Sequence, residues 1–176
     1  DHIIVSTGAK QSLMNVVLSL VNPGEEILLP APYWVSYHAM AEVAEAKPVI
    51  IPTTIDSDFK ITPEQLKANL TENTKMMIFS SPCNPSGSVY TLEELEALAD
   101  VVKDREDFYI ISDEIYEHIN FTGQHASIGT IKSVKDKVIT VNGVAKGFAM
   151  TGWRIGYIGA PQWIVKAAAK IQGQFT

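Results

Sequence analysis

The segment VNGVAKGFAMTGWRIGY carries one lysine, Lys146, among apolar residues and glycines, with no acid to pair with it; the next cation is Arg154. An ammonium so placed either sends its head out to water along an apolar stem or is an amine kept desolvated for attack on a carbonyl. Four other stretches hold groups of comparable promise. In YIISDEIYEHI an apolar run ends on Asp113 and Glu114, with Tyr116 close behind. A carboxylate at the end of a buried strand is costly unless it meets a cation or a hydrogen-bond donor. SSPCNPSG sets the neutral amide of Asn84 among prolines and a glycine, which is also how an ordinary turn is built. STGAKQSL puts Gly8, Ala9 and Lys10 where a helix begins. Free amides there attract an anion, typically phosphate, although the same glycine suits a plain turn. PAPYWVSY offers Tyr33 and Trp34, either as a plate for a planar ligand or as core filling.

Together these groups supply an anion site, an aromatic plate, an amide, a buried carboxylate, a phenol and a desolvated lysine. Such a set suits a planar, phosphorylated, protonatable heterocycle that reacts with an amine, and pyridoxal 5'-phosphate (PLP) has those attributes. STGAKQSL lacks the spacing of a P-loop, which disfavours a nucleoside triphosphate. Asp113, Glu114 and His118 make only a weak metal pattern, and no metal site is expected. His38 and His118 read as surface or packing residues and Glu117 as solvated.

Such groups must be brought together by the elements around them. Apolar runs at Ile3–Val5, Ile27–Leu29, Pro48–Ile51, Met76–Phe79, Phe108–Ile111, Val138–Val141 and Ile155–Ile158 read as strands. Nearly continuous apolarity fits central strands covered on both faces. Between them lie helix candidates at Gln11–Val21, Tyr33–Ala44, Thr62–Leu70, Thr91–Val102 and Pro161–Ile171. TLEE at Thr91 is a capping box, and Pro161 stands at a first-turn position. The alternation predicts one α/β domain: a three-layer α/β/α sandwich on a mostly parallel seven-stranded sheet. Ligands in such folds sit beyond the carboxyl ends of the strands, where four of the five stretches lie.

The chain has 176 residues, of which 46% are hydrophobic, enough for a substantial core. A net charge of -6 without basic runs argues against nucleic acid. No apolar run approaches a membrane span. The single cysteine, Cys83, excludes an internal disulfide and a multi-cysteine metal site. With no signal peptide visible, a reducing, cytoplasmic setting is expected. DHIIVSTG opens in what reads as mid-strand, so the chain is expected to be a fragment of a longer polypeptide.

Four motifs, PYWVSY (Pro32–Tyr37), NPSG (Asn84–Gly87), SDEIY (Ser112–Tyr116) and AKGFAMTGWRIGY (Ala145–Tyr157), occur in this order. In them the chain resembles the cofactor-binding large domain of fold-type I PLP-dependent aminotransferases, in the prokaryotic-type branch of the aspartate aminotransferase family. The resemblance covers essentially the whole chain. It implies that Lys146 forms a Schiff base with PLP and shuttles the substrate proton. It further implies that Asp113 holds the ring nitrogen protonated, that Asn84 and Tyr116 bond the ring phenolic oxygen and that Trp34 stacks on the ring. The phosphate would be held at Gly8, Ala9 and Lys10, through backbone amides of the latter two, together with Arg154. Ala145 and Gly143 stand where relatives often carry serine, so two phosphate hydroxyls are missing.

The family clamps the substrate carboxylate with an arginine of its small domain. Here the only arginines are Arg105, read as a solvated surface residue, and Arg154. The N-terminal arm and the small domain of the family are thus expected to lie outside this chain. The resemblance also implies amino-acid and 2-oxo-acid substrates and a homodimer. Relatives with lysine at the position of Lys10 often use acidic substrates, which makes aspartate and glutamate the leading pair and aromatic amino acids the next. Lys10 reads equally as a solvent-facing helix residue. Another PLP enzyme of this fold, such as an alanine aminotransferase or a C–S β-lyase, is an alternative, and so is a non-catalytic regulatory domain.

Overall fold

The computed structural model describes residues 1–176. In chain order the elements are β1 (Ile3–Thr7), α1 (Ala9–Leu20), β2 (Glu26–Ala31), α2 (Ser36–Val43), β3 (Lys47–Pro52), α3 (Pro63–Asn69) and β4 (Thr74–Ser80). There follow α4 (Leu92–Val102), β5 (Tyr109–Asp113), β6 (Val138–Gly143), β7 (Ile155–Gly159) and α5 (Gln162–Gln172). All seven strands and five helices expected from the sequence form, with ends moved by a few residues. Phe108 falls just outside β5, buried in the core. Both α3 and α4 start with a complete capping box, Thr62 with Gln65 and Thr91 with Glu94, which satisfies amides that the first turn leaves unpaired.

The sheet order is β1-β7-β6-β5-β4-β2-β3. Side chains alternate between two cores, as a pleated strand requires. Ile27, Leu29, Met76, Ile78 and Ile111 pack with α1, α2 and α5; Leu28, Met77, Phe79 and Ile110 pack with α4 and with Leu66 of α3. Helices on both faces explain why the inner strands read as unbroken apolar runs, and they establish the three-layer sandwich. The expectation of central strands fails for β1 and β3, which sit at the sheet edges. They keep several residues exposed, among them Ile3, Val5 and Ile50.

β7 pairs antiparallel with both β6 and β1, whereas the other pairings are parallel. The reversal has a local cause. Residues 144–154 contain no α-helix, and a parallel return needs a long crossover. The start of β7 therefore lies at the carboxyl edge of its neighbours, and Arg154, immediately before it, arrives there too.

Candidate cofactor site

Each chemically promising stretch leaves the sheet at the same edge. Gly8 follows β1, Trp34 follows β2, Asn84 follows β4, Asp113 ends β5 with Tyr116 after it, Lys146 follows β6 and Arg154 precedes β7. The topology brings eight of the nine predicted residues around one cavity of about 200 Å³: Ala9, Lys10, Trp34, Asn84, Asp113, Tyr116, Lys146 and Arg154. Tyr37, Ser80, Ile115 and Ala145 complete its wall.

Gly8, the ninth, shapes the anion end. Its φ of 83° is left-handed, and a Cβ there would lie 2.4 Å from Arg154 Nη2. Glycine thus lets the guanidinium reach the N-terminus of α1, whose first amides are free. Gly156 makes the approach of β7 possible, since a Cβ on it would sit 2.2 Å from Ala9 N. The cavity wall holds three cations, Lys10, Lys146 and Arg154, against one acid, Asp113, so it favours anionic ligands although the chain is acidic.

Asp113 is 3% exposed. On β5 it shares the face of Ile111 and so looks into the α1–α2 side, where Tyr37 Oη donates to its Oδ2 at 2.7 Å. Ile115 N–H donates to Oδ1 at 3.2 Å. Burial pushes the Asp113 carboxyl up to about 6, and those two donors only partly oppose it. The Tyr37 hydroxyl is raised well above its ordinary range, first by burial and then by the neighbouring Asp113 charge. Ser80, the register partner of Asp113 on β4, has a buried hydroxyl with no hydrogen-bond partner. Such a pocket suits a ligand that presents a proton to Asp113.

Trp34 stands edge-on to Tyr37, with Lys10 Nζ 4.9 Å from its ring centroid. It is cavity wall rather than sealed core. Lys146 corrects one expectation: it is exposed, not desolvated, with Nζ 5.7 Å from the Tyr116 ring centroid. The apolar neighbours in its loop turn outward as well, Phe148 being 58% exposed, so no part of residues 1–176 closes over the amine. It makes no ion pair with an acid, as its sequence setting implies. Arg105, read as solvated, is anchored by donation to Thr71 O at 2.6 Å.

Glu114 faces the other way. It accepts from Ser112 Oγ at 3.0 Å and from Ser127 Oγ at 2.5 Å, and pairs with His125 Nε2 at 2.9 Å. Of the histidines, His125 rather than His118 meets it, and Glu117 completes a trio whose ligand atoms lie within 4.8 Å. Its carboxylate oxygens are already engaged by these donors, which is a structural arrangement more than a metal cage. Sequence reasoning missed Tyr37, Ser80, His125 and Ser127 because the fold brings the groups together: α2 docks Tyr37 on Asp113, strand register sets Ser80 beside Asp113, and the loop after β5 folds His125 and Ser127 back onto Glu114.

Comparison with known proteins agrees with this geometry. The sequence pattern of the family "Aminotransferase class I and II" matches residues 1–176. The chain is 50% identical to a bifunctional aspartate aminotransferase and glutamate/aspartate-prephenate aminotransferase of Petunia hybrida, over 100% of this chain and 37% of the relative. It is 48% identical to an aspartate/prephenate aminotransferase of Nitrosomonas europaea, over 99% of this chain and 45% of the relative. Among solved structures, an aspartate aminotransferase from Rhizobium meliloti superposes with a TM-score of 0.96 at 40% identity, covering 99% of this chain and 44% of that one. An aromatic aminotransferase from Pyrococcus horikoshii gives 0.94 at 40% identity, over 99% and 46%. The chain spans less than half the length of these relatives.

Proposed function

The chain belongs to the class I and II aminotransferase family, and from that premise we propose that it forms the PLP-binding large domain of an enzyme moving an amino group from an amino acid to a 2-oxo acid. Members of this family depend on PLP. The observation that carries the reading is the one cavity on which Lys146, Asp113, Arg154 and the start of α1 converge. The residues fit the cofactor: a glycine-lined helix N-terminus with a guanidinium for the phosphate, a buried acid with an unpartnered Ser80 hydroxyl beside it, and an amine free of acids.

When bound, the cofactor supplies an electron sink for the substrate carbon that loses its proton. The chain's own residues do the rest. Asp113 holds a proton at the ring nitrogen, because a buried carboxylate is favoured by an adjacent positive charge. Asn84 and Tyr116, on the cavity wall, would hydrogen-bond the phenolic oxygen, and Trp34 would lie against the ring. Arg154 and the amides of Ala9 and Lys10 would hold the phosphate. Lys146 Nζ, on the cavity wall, would be the attachment amine and would carry the proton at the substrate α-carbon.

Aspartate with 2-oxoglutarate is the leading substrate pair. The names of the Petunia, Nitrosomonas and Rhizobium relatives support it, as does the Lys10 ammonium on the cavity wall. An aromatic substrate is the second reading, favoured by the apolar hollow next to the site, which Ile119 and Phe121 line and which shares Asn84 and Tyr116 with the cavity. Exposed Ile3, Val5, Trp153 and Trp163 accord with a homodimer, which forms part of this proposal. Assaying the full-length protein with aspartate and 2-oxoglutarate tests it. Oxaloacetate and glutamate should form in equal amounts. Release of ammonia instead, or no transfer from any amino acid, contradicts it.

A further inference from the structure

The turn after β5 has two sides. Asp113 and Tyr116 line the cavity, whereas Glu114, Glu117 and His118 do not and have no part in the reading above. Their contacts run in a line. Glu114, buried, holds His125, Ser112 and Ser127. Its hydrogen bond is the main reason that the His125 imidazole is raised above its ordinary range, and the nearby Glu117 charge adds to it. Glu117 has Oε2 3.9 Å from that imidazole and Oε1 3.0 Å from His118 Nε2.

His118 in turn meets the lysine loop. A Cβ built on Gly147 would lie 2.7 Å from His118 Cβ and 3.0 Å from its Cδ2. Phe148 stands edge-on to the imidazole, with centroids 5.1 Å apart at 71°. Gly147 and Phe148 are the two residues after Lys146. The base of the loop is tied by backbone bonds, Val144 N to Ile155 O at 3.2 Å and Met150 N to Val144 O at 3.3 Å. Its tip rests on His118.

We propose that His118 is a positioning residue for Lys146: a prop under the Gly147–Phe148 turn, held by Glu117 and, through His125 and Glu114, by the end of β5. One strand end would then set both the acid facing the ring nitrogen and the amine that bears the cofactor. The inference rests on the reading of Lys146 as the attachment residue.

The test uses the full-length holoenzyme and compares His118→Ala, His118→Phe and Gly147→Ala. His118 is 53% exposed on its side chain, so its replacement leaves the core intact. Displacing a reacting group by an ångström can cost about 100-fold, so kcat of the alanine variant should fall by about 10- to 100-fold with little change in KM. The visible absorption of the lysine-bound cofactor should titrate at a different pH. His118→Phe keeps a ring against Phe148 and should recover most of both signals, while Gly147→Ala, which forces the turn off His118, should reproduce the defect. A His118→Ala enzyme matching the parent in kcat and absorption overturns the proposal, as does a phenylalanine variant as impaired as the alanine one. Borohydride labelling of the parent separates the two levels. A label away from Lys146 defeats the functional reading, and a label on Lys146 with unaffected variants defeats the prop alone.

Discussion

At Asp113 burial and function pull in opposite directions. Water is excluded, so the anion is disfavoured, and Tyr37 and Ile115 only soften that cost. A protonated ring nitrogen would relieve it. Asp113→Asn should therefore retain PLP yet slow transamination by orders of magnitude, because a neutral pyridine is a poor electron sink; near-normal turnover in stopped-flow assays would refute the role. Tyr37→Phe removes a donor to the carboxylate. A hydrogen bond to a charged group contributes roughly 1.5–3 kcal/mol, and a pKa unit is about 1.4 kcal/mol, so the Asp113 carboxyl should titrate about one to two units higher when followed by carboxyl NMR. Lys146, Asp113, Asn84 and Tyr116 were legible in the sequence because each lies in a short motif at a strand exit. Tyr37 was not, since its partner is 76 positions away and meets it only once α2 docks on β5. The exposure of Lys146 is hidden in the sequence for a related reason: apolar neighbours in sequence do not say what covers a loop.

Among the elements, the strands were the most readable, because helices on both sheet faces leave the inner ones uniformly apolar. Edge position is set by strand order, which no local pattern encodes, so β1 and β3 read like inner strands although they lie at the edges. The reversal of β7 had a readable signal in the lack of a helical stretch between it and β6. The close approach of β7 to the start of α1 depends on Gly156, packed against the backbone of Gly8 and Ala9. Backbone cannot give way as a flexible side chain can. Gly156→Ala should cost about 1–3 kcal/mol, the usual range for overpacking, and should weaken PLP binding more than Gly24→Ala, where a Cβ meets nothing within 4 Å although φ there, unlike at Gly156, is positive. Urea unfolding and fluorescence titration with PLP read both effects. Equal PLP affinity in the two variants would contradict the assignment of the β7–α1 contact to the phosphate end.

For the whole molecule, the raised Asp113 pKa makes cofactor-free stability depend on pH. The folded value, about 6, lies above the reference 3.8. Its contribution is thus fully present below pH 3.8 and is lost as pH rises through 6. Two units correspond to about 3 kcal/mol. The cofactor-free chain should lose that much stability relative to its Asp113→Asn variant between pH 4 and pH 7 in urea titrations, and parallel curves would contradict it. The molecule also exposes large apolar side chains, Phe121, Phe148 and Trp153 among them, and its cationic cavity is open at Lys146. Residues 1–176 alone are expected to bind PLP weakly and to transfer little, since the only arginine on the cavity wall, Arg154, stands at the phosphate end. A single-turnover rate with aspartate within tenfold of the full-length protein would refute this. Most direct for the central claim is borohydride reduction of the full-length protein with PLP, followed by peptide mapping. The account predicts one pyridoxyl group, on Lys146. A label on any other lysine, or none, would contradict it.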